Sequence, residues 1–556
     1  MNQQPVFFLS AIKDWLFIFL SIAYGQLTHL RKRLIIGLAC CLGLAGCMHE
    51  RADLPQSATT DSQTHFSKMC LSFADQSLGK TIRITDHQMV PPSSLSPEYC
   101  KLTVAFIESS LKFNLWLPSQ SWNKKIAFLG GGGFDGQVLD ESSFKWISRS
   151  SPSILNEGYA LVSTNGGHDK PESLDPLVYF KAEFAADAEA LADFTYRSEH
   201  RSLPQAKSLI TAFYGEAPKY TYFEGCSMGG HDALLLSQRY PQDFDGIVAR
   251  APAGNVVGLF QQFNRIGSLV HDKKSLLSAK QKDSLANAVL AQCDNMDGLI
   301  DGIISNSEAC EFDPSVLSCL RNSVDNCLSA DQLKLVNAIT SPLVADDGKI
   351  IHPGYNFGGE NQDFGWGEYI WPKISGPSLQ MLFSEGFVRS FVTGDAHYDT
   401  WSWKAEEWQP ELNKIKEMFD AVYPNLEAFN QQGAKLIMWN GMLDTSVSSR
   451  DSIRYYKAVL NTLGHQKTDQ TLELFLAPGV GHCGGGIGPD RVDLMQALSR
   501  WVEADIPPSQ QQLVMTKVDD DEEIVLSRPM CKYPAYAKYK GKGDIALAAS
   551  FACESR

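Results

Sequence analysis

The pentapeptide Gly225-Cys226-Ser227-Met228-Gly229 and the distant dipeptide His482-Cys483 each set a cysteine directly beside a residue of catalytic type. G-x-S-x-G carries a serine on a tight strand-to-helix turn with its hydroxyl exposed. Both flanks suit that context. Tyr220-Thr221-Tyr222-Phe223 is aromatic and β-branched and predicts a strand, and Ala233-Leu234-Leu235-Leu236 beyond Gly230 predicts a helix. The pentapeptide alone recurs by chance in long chains, because Gly and Ser are common. A bond between Cys226 and Cys483 would bring their neighbours Ser227 and His482 within reach of each other. The plainer reading makes Cys226 a small buried residue and His482 a loop histidine.

The N-terminus is read as a targeting segment. Arg31-Lys32-Arg33 precedes an apolar run from residue 34 to 45 and then Gly46-Cys47, the pattern of an export signal. Leu44-Ala45-Gly46-Cys47 resembles a bacterial lipobox, which makes Cys47 the expected lipidation site; a cleaved signal without lipid is the alternative. An earlier apolar stretch, 15–23, is too short to span a bilayer. Residues 1–46 are therefore assigned to a leader and 47–69 to a tether that includes the polar run 57–64. The chain is expected to be exported, as a lipoprotein of the outer membrane or periplasm or else secreted. Contact with a membrane is expected through the lipid only.

Of 13 cysteines, Cys40, Cys41 and Cys47 lie in the leader, which leaves ten. An even number in an oxidising compartment predicts a disulfide framework. Connectivity is not decided by sequence, but nearest-neighbour pairing gives Cys70–Cys100, Cys293–Cys310, Cys319–Cys327 and Cys531–Cys553. Cys226 and Cys483 then remain for each other. A formal charge of -15 disfavours nucleic acid and anionic surfaces as partners.

Strand signals at 102–107, 113–117, 126–129 and 159–164, a helical stretch at 187–196 and the Ser227 strand alternate as in an α/β fold with a mostly parallel sheet. From about residue 255 to 432 the pattern turns helical, with Gly-rich loops and Trp366, Trp371, Trp401, Trp403 and Trp408. Strand signals return at 435–439 and 472–476. One catalytic domain, 70–254 and 433–556, interrupted by a lid at 255–432, accounts for this order.

Ser227 needs a base, since a free hydroxyl is a poor nucleophile. His482 follows the last predicted strand, and Asp444 follows the one before it. The order Ser, Asp, His is that of α/β-hydrolases. His231, on the nucleophile's own helix, has poor geometry for a base; His168 is read as a loop former near the site, and Asp451 as a solvated helix acid. Two N–H donors are needed for an oxyanion. Met228 supplies one, and the other is assigned within Gly130-Gly131-Gly132-Gly133, to Gly132 ahead of Gly131. The second dense cluster, 294–303, sets Asp294, Asp297 and Asp301 at spacings of three and four. Hard oxygen ligands in a flexible loop suit Ca²⁺ in a structural role. The ligand set would be those three side chains with the carbonyls of Leu299 and Ile303; an acidic turn without metal is the alternative.

With these motifs in place, the chain resembles the tannase and feruloyl esterase family over residues 70 to the C-terminus. The Cys226-Ser227 and His482-Cys483 pairs, with Asp444 between, match its CS-D-HC motif. Five disulfides, an Asp-rich calcium loop and a large lid before the catalytic Asp match it too. The resemblance implies a serine esterase of α/β-hydrolase fold acting on small aromatic, phenolic-acid esters, with lid aromatics forming the acyl pocket. A terephthalate monoester hydrolase of the same fold holds its substrate's carboxylate with a lid arginine. Here residues 391–401 contain no Arg and only Arg389 lies nearby, so phenolic esters are the expected substrates and the terephthalate monoester the alternative. A serine peptidase and a non-catalytic ligand-binding lipoprotein are the remaining readings.

Overall fold

The computed structural model describes residues 66–555 apart from 72, 74–79, 94–95, 121, 141–153, 174, 322–325 and 374–375. The leader, Cys47 and nearly all of the 47–69 tether lie outside the described residues.

Nine strands form one sheet in the order β1-β2-β3-β5-β4-β6-β7-β10-β11. They are β1 (Ile82–Val90), β2 (Tyr99–Phe106), β3 (Lys112–Pro118), β4 (Lys125–Leu129), β5 (Ala160–Thr164), β6 (Tyr220–Cys226), β7 (Gly246–Arg250), β10 (Lys435–Gly441) and β11 (Leu472–Ala477). The skipped labels belong to a small lid hairpin, β8 (Leu343–Val344) with β9 (Ile350–His352). Pairing is antiparallel from β1 to β5 and parallel from β5 to β11.

The parallel strands are apolar on both faces because helices cover both. On β4, Ile126 and Phe128 enter one core while Ala127 and Leu129 enter the other; on β10, Leu436 and Met438 oppose Ile437 and Trp439 in the same way. The first face is covered by helices Ser198–Tyr214, Met228–Arg239 and Ser449–Leu463, the second by Leu494–Ala504. Between β7 and β10 runs the inserted segment, whose own core is built on the apolar helix Val256–His271.

Several elements differ from the sequence expectation. The helical stretch read at 187–196 continues, after a π turn at Asp193–Arg197, through Ser198–Tyr214 with Pro204 inside it. Buried Asp193 holds Arg197 at 2.6 Å and Arg201 at 2.6 Å across these turns. β1 and the C-terminal hairpins β12 (Val514–Val518) with β13 (Ile524–Pro529) and β14 (Tyr536–Tyr539) with β15 (Phe551–Glu554) extend the fold at both ends. β1 is largely exposed and polar, and the C-terminal hairpins expose Val514, Ile524 and Val525 among polar residues, so neither shows a clean apolar alternation. No helix among the described residues is long and apolar enough to cross a membrane.

One charge pair lies in the heart of the sheet. Arg250, at the end of β7, pairs with Glu224 of β6 at 2.7 Å with both side chains fully buried, and it donates to the Val492 carbonyl at 3.0 Å. Removing one member leaves the other charged and dry, which costs about 3–5 kcal/mol. Glu224→Ala is therefore expected to lower unfolding stability by roughly that amount. Urea denaturation checks this, and a midpoint equal to wild type would refute it.

Candidate active site

Strand β6 ends at Cys226, and the helix Met228–Arg239 starts one residue after Ser227. Ser227 has φ 65° and ψ -114°, a conformation that side-chain-bearing residues rarely adopt. Its backbone is held on both sides: the Ser227 N–H donates to the Arg250 carbonyl at 3.1 Å, and its carbonyl accepts from Ala253 at 3.2 Å. Strain of this kind costs on the order of 1–3 kcal/mol and persists where the surroundings determine it. The glycines of the pentapeptide make the turn possible. A Cβ on Gly225 would lie 2.4 Å from the Gly229 backbone, and one on Gly229 would lie 2.7 Å from the Gly131 carbonyl oxygen.

Asp444 and His482 come from the loops after β10 and β11. The two loops are stitched together by Met442 N–H to Ala477 O at 2.9 Å and Leu443 N–H to Val480 O at 2.8 Å. His482 Nδ1 lies 2.8 Å from Asp444 Oδ2, and both side chains are buried. The other carboxylate oxygen accepts the N–H groups of Ser446 and Val447, each at 2.8 Å. Asp444 is thus a fixed acceptor. Burial disfavours the imidazolium of His482, but the Asp444 charge and hydrogen bond, with Glu368 adding to them, outweigh it and hold the His482 pKa above its ordinary value.

Strands β6 and β11 are separated by β7 and β10, about 14 Å at the usual strand spacing. The bridge across that gap is the disulfide Cys226–Cys483, with Cα atoms 6.0 Å apart and a sequence separation of 257. It joins the neighbours of Ser227 and His482. The other four pairs are Cys70–Cys100, Cys293–Cys310, Cys319–Cys327 and Cys531–Cys553, as nearest-neighbour pairing expects.

The Gly-rich loop after β4 abuts the nucleophile helix through Gly229 N–H to Gly131 O at 3.0 Å. Gly131 is closed off: a Cβ there would meet the Asp135 carboxyl at 2.5 Å, whereas at Gly132 it would meet nothing within 4 Å. The Gly132 carbonyl accepts from Asp135 N–H at 2.9 Å and from the Tyr179 hydroxyl at 3.2 Å. At Gly133 a Cβ would lie 2.5 Å from the Tyr179 hydroxyl and 3.5 Å from the Phe383 ring. Tyr179, Phe180 and Phe383 form an aromatic wall here, Phe180 and Phe383 edge to face at 4.9 Å. Sequence reasoning missed this wall, since its members come from two distant segments with no shared motif. The lid tryptophans have other places: Trp366, Trp371 and Trp403 are buried in the lid's own core.

The competing residues are occupied elsewhere. His231 is fully buried, with Nε2 at the Phe419 carbonyl and Nδ1 3.0 Å from Asp232, and burial lowers its pKa to about 4. His168 stacks on Phe184 at 3.6 Å and is likewise lowered to about 4 by burial. Asp451 is not freely solvated as expected: it is half-buried and pairs with Arg454 at 2.7 Å, and desolvation raises it to about 6. Arg389 donates to the Tyr398 carbonyl at 3.0 Å and pairs with Glu385 at 3.3 Å.

In the acidic loop each carboxylate caps its own backbone. Asp297 accepts from Leu299 N–H at 3.1 Å, Asp294 from Gly302 N–H at 2.9 Å and Asp301 from Ile303 N–H at 3.0 Å. Asp301 also pairs with Arg528 at 2.7 Å. Asp294 Oδ1 is buried with no hydrogen-bond partner. Among the described residues no three His, Cys, Asp or Glu side chains gather so as to hold a metal by themselves, so an oxygen cage here has to include main-chain carbonyls.

The profile of the family described as tannase and feruloyl esterase matches residues 102–554. An uncharacterized esterase of Agrobacterium fabrum is 30% identical over 494 residues, covering 83% of this chain and 86% of its own length. Mono(2-hydroxyethyl) terephthalate hydrolase of Piscinibacter sakaiensis is 29% identical over 522 residues, with 82% and 85% covered. A crystal structure of an esterase from Aspergillus oryzae superposes with a TM-score of 0.77 at 25% identity, covering 88% of this chain and all of that one. A strand-to-helix serine turn on a mostly parallel sheet, matched over most of its length by this family, makes the chain a member of the tannase and feruloyl esterase family of carboxylic ester hydrolases with an α/β-hydrolase fold.

Proposed function

We propose that the protein is an exported serine hydrolase of aromatic, phenolic-acid esters, of feruloyl esterase or tannase type, working through an acyl-enzyme. The observation that carries this is the buried His482–Asp444 hydrogen bond, tethered to the Ser227 turn by Cys226–Cys483. Ser227 Oγ attacks the ester carbonyl as His482 Nε2 takes its proton. Asp444 keeps the Nδ1 proton in place and stabilises the imidazolium. The N–H groups of Met228 and Gly132 receive the oxyanion. His482 returns the proton to the departing alcohol, then activates the water that releases the acid. The five disulfides support an oxidising compartment, and export with a lipid on Cys47 belongs to the same reading.

Tyr179, Phe180 and Phe383 beside the Gly-rich loop suit a planar acyl ring, which aromatic walls bind by offset or edge contacts. Phe391, within the arginine-free stretch, packs inward on Phe134 at 5.7 Å and Phe419 at 5.9 Å. Arg389 is engaged by Glu385 and Tyr398. With Arg389 so engaged, methyl ferulate or methyl gallate is expected to exceed a terephthalate monoester in kcat/KM by about tenfold, or ~1.4 kcal/mol. A steady-state panel of the three esters decides, and a tenfold excess for the terephthalate substrate would reverse the assignment. Anilide analogues in the same panel test the peptidase reading, and labelling of Ser227 by a fluorophosphonate tests the non-catalytic one.

Cys226–Cys483 is assigned a positioning role, because misplacement of reacting groups by about 1 Å costs on the order of 10²-fold in rate. Replacing both cysteines by Ala should reduce kcat more than KM at temperatures below the variant's Tm. Wild-type kcat in that variant would reject the role.

The acidic loop is assigned to structural Ca²⁺, held by Asp294, Asp297 and Asp301 with the carbonyls of Leu299 and Ile303. The buried, unpartnered Asp294 Oδ1 and the hard-oxygen donor set support this. Bound calcium would neutralise carboxylates that burial raises above their ordinary range, Asp294 and Asp297. Chelation is expected to lower Tm, more so at low free metal, and Asp301→Ala to do likewise. Identical melting curves with and without chelator would leave the loop an acidic turn.

A further inference from the structure

The Asp444 carboxylate is held by two peptide units, and the lid holds the far end of each. Asp444 Oδ1 accepts the N–H groups of Ser446 and Val447, both at 2.8 Å, while Oδ2 faces His482 Nδ1 at 2.8 Å. In a trans peptide the N–H and C=O of one unit share a plane and point opposite ways. The unit that presents the Ser446 N–H therefore ends in the Thr445 carbonyl, and the unit that presents the Val447 N–H ends in the Ser446 carbonyl. The Gln380 side-chain amide, from the lid helix Leu379–Gly386, donates to the Thr445 carbonyl at 2.8 Å. The Tyr355 hydroxyl, also from the lid, donates to the Ser446 carbonyl at 3.2 Å. The same amide donates to the Tyr355 hydroxyl at 3.4 Å, which ties the two supports together. Gln380 and Tyr355 are completely buried, and Asp444, Thr445 and Ser446 are at most 5% exposed. The loop is also fastened to the lid on either side of Asp444. The Asn356 side-chain amide donates to the Met442 carbonyl at 3.0 Å, and the Ser448 hydroxyl donates to the Gly354 carbonyl at 2.6 Å.

Stability alone does not account for a glutamine at 380. Its Oε1 is buried with no hydrogen-bond partner among the described residues, and a dry, unmatched oxygen destabilises a fold. A methionine of similar length would carry no such penalty, so what the glutamine adds is its N–H donor.

We propose that Gln380 and Tyr355 are positioning residues for the catalytic acid: from the lid they fix the two peptide units that orient the Asp444 carboxylate toward His482. The inference rests on the reading of Asp444 as the group that holds His482 for Ser227. With both carbonyls clamped, the two N–H groups stay on Oδ1, and Oδ2 keeps its place at the imidazole while the ring gains and loses a proton. Release of either carbonyl lets its peptide unit tilt, which draws the N–H away from Oδ1 and lets the carboxylate turn. Small movements suffice, since a misplacement of about 1 Å costs on the order of 10²-fold in rate.

A double-mutant cycle in the full-length protein tests this. Gln380→Met and Tyr355→Phe are made alone and in an Asp444→Asn background, with Tm measured for each. Two rates are followed below Tm: hydrolysis of methyl ferulate, and labelling of Ser227 by a fluorophosphonate. Labelling needs no particular ester, and it decides if methyl ferulate is a poor substrate. Gln380→Met is expected to lower kcat and the labelling rate by about tenfold with KM within about twofold of wild type, and Tyr355→Phe to lower them by about threefold. In the Asp444→Asn background either change should alter the labelling rate by less than about twofold, because the acid they position is already lost. A purely structural role would instead lower the rate by the same factor in both backgrounds. That result, or a wild-type rate in Gln380→Met, would overturn the proposal. If Gln380→Met does not fold, Tyr355→Phe, which loses a single hydroxyl, decides by the same cycle. Asp444→Asn by itself separates the two levels. A wild-type labelling rate in that variant would remove the reading of Asp444 and the inference with it; a large fall there, with Gln380→Met and Tyr355→Phe unchanged from wild type, would remove the inference alone.

Discussion

The bond between Cys226 and Cys483 is the constraint on which the site depends. The sheet sets the strands carrying Ser227 and His482 on either side of two others, and no hydrogen-bond ladder runs between them. In the chain-entropy picture, closing a loop of 257 residues removes about 5 kcal/mol of unfolded-state freedom. Its local effect matters more. Ser227 and Cys483 both have positive φ, 65° and 57°, and each adjoins or belongs to the bridge. Two strained turns are thus locked to each other where the reacting side chains leave the backbone.

Around that bond the inserted segment behaves as part of the scaffold. Its residues Phe364, Gly365 and Tyr369 press on the loops that carry the histidine and the aspartate. Its Phe383 stands with Tyr179 at the Gly-rich loop. In the proposed acyl-enzyme reaction, a segment that touches these loops would couple substrate enclosure to the geometry of the base.

Electrostatics follows the same layout. The carboxylate that orients the histidine is satisfied by two backbone N–H groups and stays an acceptor. Beneath the serine turn the Glu224–Arg250 pair is completely dry, a weak source of stability but a specific one. The Arg250 carbonyl accepts the Ser227 N–H, so the residue that anchors the pair also anchors the main chain of Ser227.

Short-range chemistry was readable from the chain. G-x-S-x-G between a β-branched run and a leucine run declares a strand, a turn and a helix, because the turn tolerates only glycine where Gly225 and Gly229 meet. Ser, Asp and His in that order, each just after a strand, declare the sheet edge they share, and the cysteines beside two of them point to each other. Some elements were less visible: β1, the C-terminal hairpins and the continuation through Pro204 lack a clean apolar period. Burial of His231, the pairing of Asp451 with Arg454, the wall of Tyr179 and Phe383 and the Tyr369 ring edge-on to His482 had no signature at all. Each is a meeting of segments remote in sequence, and contact between them is decided by how the lid packs on the sheet. Local propensity acts over a few residues and determined the turn, the strands and the roles open to Ser227, Asp444 and His482; packing acts across the whole chain, and it alone decided which aromatic rings stand beside them.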